Sequence, residues 1–341
     1  MIYSFKNDYS KIAHPLVLKK LLSLEDEQNI GYGEDYHTKC AKKLILDKIK
    51  HDSDIYFLSG GTITNMIAIS SSLKPYEAVI CANTGHINVH ETGAIEGQGH
   101  KVIGVSTIDG KLRVDDIKKV INFHTDHHMV KPKMVYISNT TELGGYYTKA
   151  ELIELYKYTK ENNLYLYIDG ARLASALAIS DIRFKDYAKY SDMFYIGGTK
   201  CGSYFGEALV INNDEIKKEF IYNVKHFGGM LAKGFVTAIP FEVLMDNDLY
   251  LNIGKHQNEI ANYLTLNLKN LGLNFYSESK TNQVFVYLPK NILDELYKDF
   301  LFEIWENIEG DYLPIRFVIS FDTEKKHIDL LIKRLGEWLN V

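Results

Sequence analysis

Short apolar runs alternate with longer amphipathic ones along most of this 341-residue chain. Seven stretches read as strands: IYFL (55–58), AVIC (78–81), VIGV (102–105), MVYIS (134–138), LYLYI (164–168), MFYI (193–196) and ALVI (208–211). They are brief, uncharged and nearly continuous in apolar character, the pattern of strands buried on both faces. Between them, TITNMIAISSSL (62–73) and KAELIELYKYTKENN (149–163) repeat apolar positions at helical spacing. Strands and helices in alternation predict a mostly parallel seven-stranded sheet covered by helices. The texture changes near residue 246. A helical pattern over about 255–271 precedes strands near FVYL (285–288) and IRFVIS (315–320), then a closing helix, KKHIDLLIKRLGEWL (325–339). The expected organisation is therefore a large α/β domain over residues 1–245, N-terminal segment included, and a small C-terminal α+β domain over 246–341.

Composition narrows the function classes. Hydrophobic residues make up 46% and charged residues 24%, and the net charge is −5, which is ordinary for a soluble globular protein. Lysines and arginines form no dense run, so neither nucleic acid nor an anionic membrane is an expected partner. No stretch reaches membrane-spanning length, and the N-terminus has no apolar signal core. Cys40, Cys81 and Cys201 are far apart and lack CxxC spacing. That argues against a disulfide framework and fits a cytoplasmic location. The 24 tyrosines read as a compositional bias.

In an open α/β sheet, ligands sit beyond the carboxyl ends of the strands. Three groups fall at such ends. SGGTITN (59–65) follows a strand and opens a helix, so the amides of Gly61 and Thr62 would face an anion there, aided by the helix dipole. The alternative is a tight turn capped by Thr62. In YIDGARLAS (167–175), Asp169 ends an apolar strand, where an unpaired carboxylate is costly. It either pairs with Arg172 or faces a protonated ring nitrogen. In YIGGTKCGSYFG (195–206), Lys200 stands among glycines at the next strand end. A lysine withdrawn from water becomes a usable amine nucleophile. A phosphate cup, a strand-end aspartate and a Gly-Thr-Lys together are the parts a pyridoxal 5'-phosphate site needs: one each for phosphate, pyridinium nitrogen and aldehyde.

The chain resembles the threonine aldolase family, the β-eliminating lyase group of fold-type I pyridoxal-phosphate enzymes. The likeness runs through NDYSKIAHP (7–15), GYGED (31–35), GGTITN (60–65), GHINVHETG (85–93), HMVKPKMVYIS (128–138), IDGARL (168–173), GGTKCGSYFGEALV (197–210) and IRFVISFD (315–322). Gly60 at the family's serine position, and Gly-Thr-Lys-Cys-Gly around Lys200, mark a divergent subgroup. The resemblance implies a fold-type I large domain and small domain, with Lys200 holding the cofactor as a Schiff base and Asp169 on its ring nitrogen. It implies His86 stacked on the ring, with Glu91 nearby, and Arg172 on the cofactor's phenolic oxygen or the substrate carboxylate. Arg316 and Asn7 would also bind that carboxylate, and His86 or His128 would take the β-hydroxyl proton. The implied reaction is retro-aldol cleavage of L-threonine or L-allo-threonine to glycine and acetaldehyde. The alternatives are β-elimination, aminotransfer, or non-catalytic cofactor binding. Family sites are shared between subunits, which implies a homodimer or homotetramer. No metal is expected: His86 and His90 lack the HEXXH pattern, and HTDHH (124–128) reads as a solvated turn.

Overall fold

The structure is a computed structural model that describes residues 2–339. Seven strands form one sheet: β1 (Asp54–Leu58), β2 (Glu77–Ala82), β3 (Val102–Val105), β4 (Lys131–Ser138), β5 (Tyr165–Asp169), β6 (Met193–Gly197) and β7 (Glu207–Ile211). Their spatial order is β1-β7-β6-β5-β4-β2-β3. Only β7 runs against the others, pairing antiparallel with β1 and β6. The expected mostly parallel seven-stranded α/β sheet is therefore what forms.

The strands are apolar throughout because both sheet faces are covered. Side chains alternate between the faces with the period of two that a strand imposes. Ile80, Val135, Ile137, Ile168, Phe194 and Val210 enter one core, while Val79, Met134, Tyr136, Tyr167, Tyr195 and Leu209 enter the other. Three tyrosines thus stand on the same face of β4, β5 and β6.

Helix α1 (Gly61–Ser72) follows β1, and α2 (Leu173–Ile179) follows β5. Helix α3 (Leu249–Asn270) begins in the first core with Tyr250 and Ile253 and ends in a third core with Leu264 and Leu268. That third core is closed by a four-stranded antiparallel sheet made of β8 (Phe275–Ser277), β9 (Gln283–Pro289), β10 (Glu303–Ile304) and β11 (Tyr312–Val318). Helix α4 (Lys325–Leu339) packs on it through Ile328, Leu331 and Leu335. The N-terminal segment differs from the sequence expectation. Tyr3–Ser4 pairs in parallel with Phe300–Leu301, and Phe5 is buried in this C-terminal core. The segment then returns to the large sheet, where the His14 amide donates to the Gly202 carbonyl at 2.8 Å. It straps the two units together, with Phe5 in the C-terminal core and Ala13 and Val17 in the first core of the large sheet.

Candidate active site

The loops after β1, β2, β4, β5 and β6 all leave the same carboxyl edge of the sheet. Gly60–Thr62, His86, Glu142, Asp169–Arg172 and Lys200 therefore lie along one line. A cavity of about 250 Å³ opens there, lined by Lys200, His86, Arg172, Glu142 and, from the other unit and the N-terminal segment, Arg316, Trp305 and Asn7.

Gly60 caps α1 with no side-chain hydrogen bond, and a Cβ built on it meets nothing within 4 Å. The first amides of α1 are therefore open to an anion. Thr62 is exposed at that end and does not cap the helix, so the turn-capping alternative fails.

Asp169 is 4% exposed, yet it is not paired with Arg172. Its Oδ1 accepts from the Tyr195 hydroxyl and from the Ala171 amide at 3.0 Å. Its Oδ2 accepts from the Tyr136 hydroxyl at 2.5 Å and from Asn65 Nδ2 at 3.3 Å. Burial, then the Asp169 charge, pushes both phenols well above their ordinary range, so they remain donors. Asn65 is held in turn: Nδ2 donates to Glu91 Oε1 at 2.7 Å, and Oδ1 accepts from Tyr167 at 2.8 Å.

Arg172 pairs instead with Asp8, Nε to Oδ2 at 2.7 Å and Nη2 to Oδ1 at 3.2 Å, with Asn282 donating to Asp8 at 2.9 Å. Burial alone would raise Asp8. The charges of Arg172 and Lys200 outweigh it and hold the carboxyl below the ordinary value. Asp8 follows Asn7 directly in the chain, and only a buried arginine's need for a counter-ion points to it from sequence.

His86 stands at the start of a short helix after β2, half-buried, with Nδ1 bonded to Glu91 Oε1 at 2.8 Å. Burial lowers its proton affinity, but the Glu91 bond and the Glu142 charge prevail and leave it raised above 6.5. His86 itself lines the cavity. Among the described residues Glu91 Oε2, which is buried, has no partner.

Lys200 is half-buried. The glycines before it serve the backbone: a Cβ on Gly197 would sit 2.2 Å from the Ala171 carbonyl oxygen, and one on Gly170 would sit 1.9 Å from that of Tyr195. At these glycines the ends of β5 and β6 approach each other too closely for any side chain. The turn is held by Glu207, which accepts from the Gly198 amide at 2.8 Å and the Thr199 hydroxyl at 2.7 Å. Burial pushes the Glu207 carboxyl up to about 7. An acid opening the apolar run EALVI was its only sequence signal. Cys201 is buried, and its thiol is pushed up to about 12 by burial, which leaves it unreactive.

Across the cavity, Arg316 pairs with Glu303, donates Nη1 to Gln283 at 3.1 Å and lies 5.0 Å over the Trp305 ring. Its Nε is buried and has no partner among the described residues. Asn7 turns its oxygen to the Tyr9 amide at 3.1 Å. His128 is not brought here. It lies exposed before β4, at the amino edge of the sheet, beside Asp126 and His127 on the same loop. The strand separates it from the carboxyl edge of its own chain.

The beta-eliminating lyase family model matches residues 19–291. A low specificity L-threonine aldolase from Pseudomonas sp. (strain NCIMB 10558) is 29% identical over 307 residues, covering 87% of each chain. The solved structure of a threonine aldolase from Leishmania major superposes with a TM-score of 0.97 at 44% identity, over 99% of each chain. A histidinol-phosphate aminotransferase from Clostridium acetobutylicum, at 16% identity and a TM-score of 0.74 over 99% of each chain, shares the fold alone.

Proposed function

The chain belongs to the beta-eliminating lyase family, and from that premise we propose that it is a pyridoxal-phosphate-dependent aldehyde-lyase cleaving β-hydroxy-α-amino acids. L-Threonine and L-allo-threonine, split to glycine and acetaldehyde, are the proposed substrates. The observation that carries the reading is the convergence of an uncapped helix N-terminus, a buried aspartate and Lys200 on one sheet edge. The residues fit the group: the α1 amides of Gly61 and Thr62 suit its phosphate, Asp169 its ring nitrogen, and Lys200 its aldehyde. When bound, pyridoxal phosphate supplies the electron sink for the charge left when the Cα–Cβ bond breaks.

The chain's own groups do the rest. Arg316, in the cavity lining, binds the α-carboxylate. Arg172 adds a second positive charge, held in place by Asp8. Together they orient the bond to be broken, a positioning effect. His86 would lie against the bound ring and take the β-hydroxyl proton at Nε2, with Glu91 holding its tautomer through Nδ1. The base in this reading is His86, because His128 lies exposed on the loop before β4.

We also propose a homo-oligomer. Ile12, Leu16, Leu22, Ile30 and Tyr36 are large apolar residues left exposed within the first 36 positions, a surface that a second copy would cover. A cytoplasmic location accords with three unpaired cysteines. Among the described residues no helix is long and apolar enough to cross a membrane.

The test is absorbance and product analysis with a panel of β-hydroxy amino acids. Purified protein should carry a visible band that Lys200→Ala abolishes, and should release glycine plus aldehyde. Pyruvate and ammonia from serine would replace aldol cleavage with β-elimination. Sedimentation that finds an active monomer would sink the oligomer.

A further inference from the structure

Two carboxyl groups line the cleft, Glu142 and Glu303. Glu303 is paired with Arg316. Glu142 is 8% exposed, and among the described residues its carboxyl meets no hydrogen-bond donor and no cation at ion-pair distance. A carboxyl buried without a partner is costly, so its position calls for one. The space behind it, lined by Thr84, Leu112 and Tyr147, measures about 10 Å³, barely room for one water. The larger opening is the cleft, at about 250 Å³. The base of the side chain is also held still. Glu142 sits in a turn where the Thr141 amide donates to the Gly145 carbonyl at 2.8 Å and the Gly144 amide to the Thr141 carbonyl at 3.0 Å. The C-terminal unit clamps the same turn. The Ser277 hydroxyl donates to the Leu143 carbonyl at 2.9 Å, and the Thr281 hydroxyl to that of Gly144 at 3.1 Å. Sheet order decides where this acceptor stands. Strand β4 lies between β5 and β2, so the Glu142 turn falls between Arg172 and His86 along the carboxyl edge. Its charge acts on both, and on His90.

We propose that Glu142 is a specificity-determining residue that accepts a hydrogen bond from a donor on the γ-carbon of the substrate. The site then prefers β-hydroxy-α-amino acids whose side chain ends in a hydroxyl over those that end in a methyl. The inference rests on the aldehyde-lyase reading above. There the α-carboxylate goes to Arg316 and Arg172, and the β-hydroxyl to His86. What remains on Cβ is the substituent that differs between substrates, and it enters the stretch of cleft between those groups. A methyl there displaces water from Glu142 and leaves the carboxyl unpaired. A γ-hydroxyl restores the lost bond as a charge-assisted one. A site with a buried acceptor placed for a hydroxyl rejects the analogue that lacks it, because the acceptor is then left without a partner.

The experiment compares kcat/KM of the holoenzyme for 4-hydroxy-L-threonine, read as glycolaldehyde release, with that for L-threonine, read as acetaldehyde release. The wild type should favour the hydroxylated substrate by about 10- to 100-fold, the range of one hydrogen bond to a charged group. Glu142→Gln, which keeps an acceptor but loses the charge, should lower that ratio. Glu142→Leu should reverse it in favour of L-threonine. Any influence that Glu142 exerts through His86 touches both substrates alike and cancels in the ratio. A purely structural role would lower thermal stability and both rates while leaving the ratio where it was, and that result overturns the proposal. A wild type that handles the two substrates equally, or favours L-threonine, overturns it without any variant having to fold. Protein that shows no visible cofactor band and cleaves neither substrate removes the underlying reading and the proposal with it, and the missing band tells the two failures apart.

Discussion

The floor and the rim of the cleft are built on opposite principles. The floor, around Asp169, is dry and overdetermined. Tyr136, Tyr167 and Tyr195 are all buried and reach Asp169 and Asn65 from three adjacent strands. The rim, around Arg316, is half-open and provisionally paired. Glu303, with 38% of its side chain exposed, occupies the guanidinium that a substrate carboxylate would take. A floor of this kind fixes geometry that must not change during turnover. A rim of this kind can exchange one carboxylate for another, because Glu303 is 38% exposed and the mostly buried Arg316 keeps a counter-ion either way.

The sharpest probe of that contrast lies between the two. His86→Ala removes the proposed base and should lower kcat/KM by on the order of 10²–10⁴. With Glu91→Gln the ring should survive, but its proton affinity falls. Activity should rise with pH as His86 loses its proton, and in Glu91→Gln that acid limb should move to lower pH. Unmoved limbs in a pH–rate series would remove His86 from the role.

Next in size is the strap beneath the floor. Asp8→Asn leaves the Arg172 charge buried without its counter-ion. A denaturant titration should show a loss of about 3–5 kcal/mol. A loss under about 1 kcal/mol, the range of exposed pairs, would place Asp8 with the rim.

Glu207 gives a pH signature of the floor. Its folded-state carboxyl stands at about 7, above the ordinary 4.5. Its stabilising share is therefore complete below 4.5 and is lost as pH rises through about 7. The melting temperature of Glu207→Gln, compared with the wild type, should gain as pH rises from about 4 to about 8, on either side of that window. A difference independent of pH would mean the carboxyl is not raised.

The smallest effect belongs to the rim. Glu303→Ala frees Arg316 and should lower KM about twofold to fivefold with kcat little changed. A KM that rises instead would show that Glu303 holds Arg316 in place for substrate.

Much of this site was legible in the chain because its parts are local. The cup, Asp169 and Lys200 each sit where an apolar run ends, and strand ends are readable from period and punctuation. Tyr136 and Tyr195 were equally visible but carried no sign of their partner. A tyrosine in a buried strand reads as core, and which polar group its hydroxyl meets depends on register with neighbouring strands. The same limit explains Arg172: its sequence neighbour Asp169 looked like its counter-ion, whereas Asp8, from the N-terminal strap, reached it first.

By itself, then, the sequence determined the alternation of strands and helices, the carboxyl-edge placement of the cup, Asp169 and Lys200, and the cofactor those parts suit. These follow from short-range rules of periodicity and turn chemistry. Only the tertiary structure decided what each charge pairs with. It put Asp8 on Arg172, two phenols on Asp169 and Glu303 on Arg316, and it kept His128 at the far edge. Pairing in a low-dielectric interior is settled by which donor the packed backbone brings within about 3 Å, and neither order nor spacing along a chain encodes that distance.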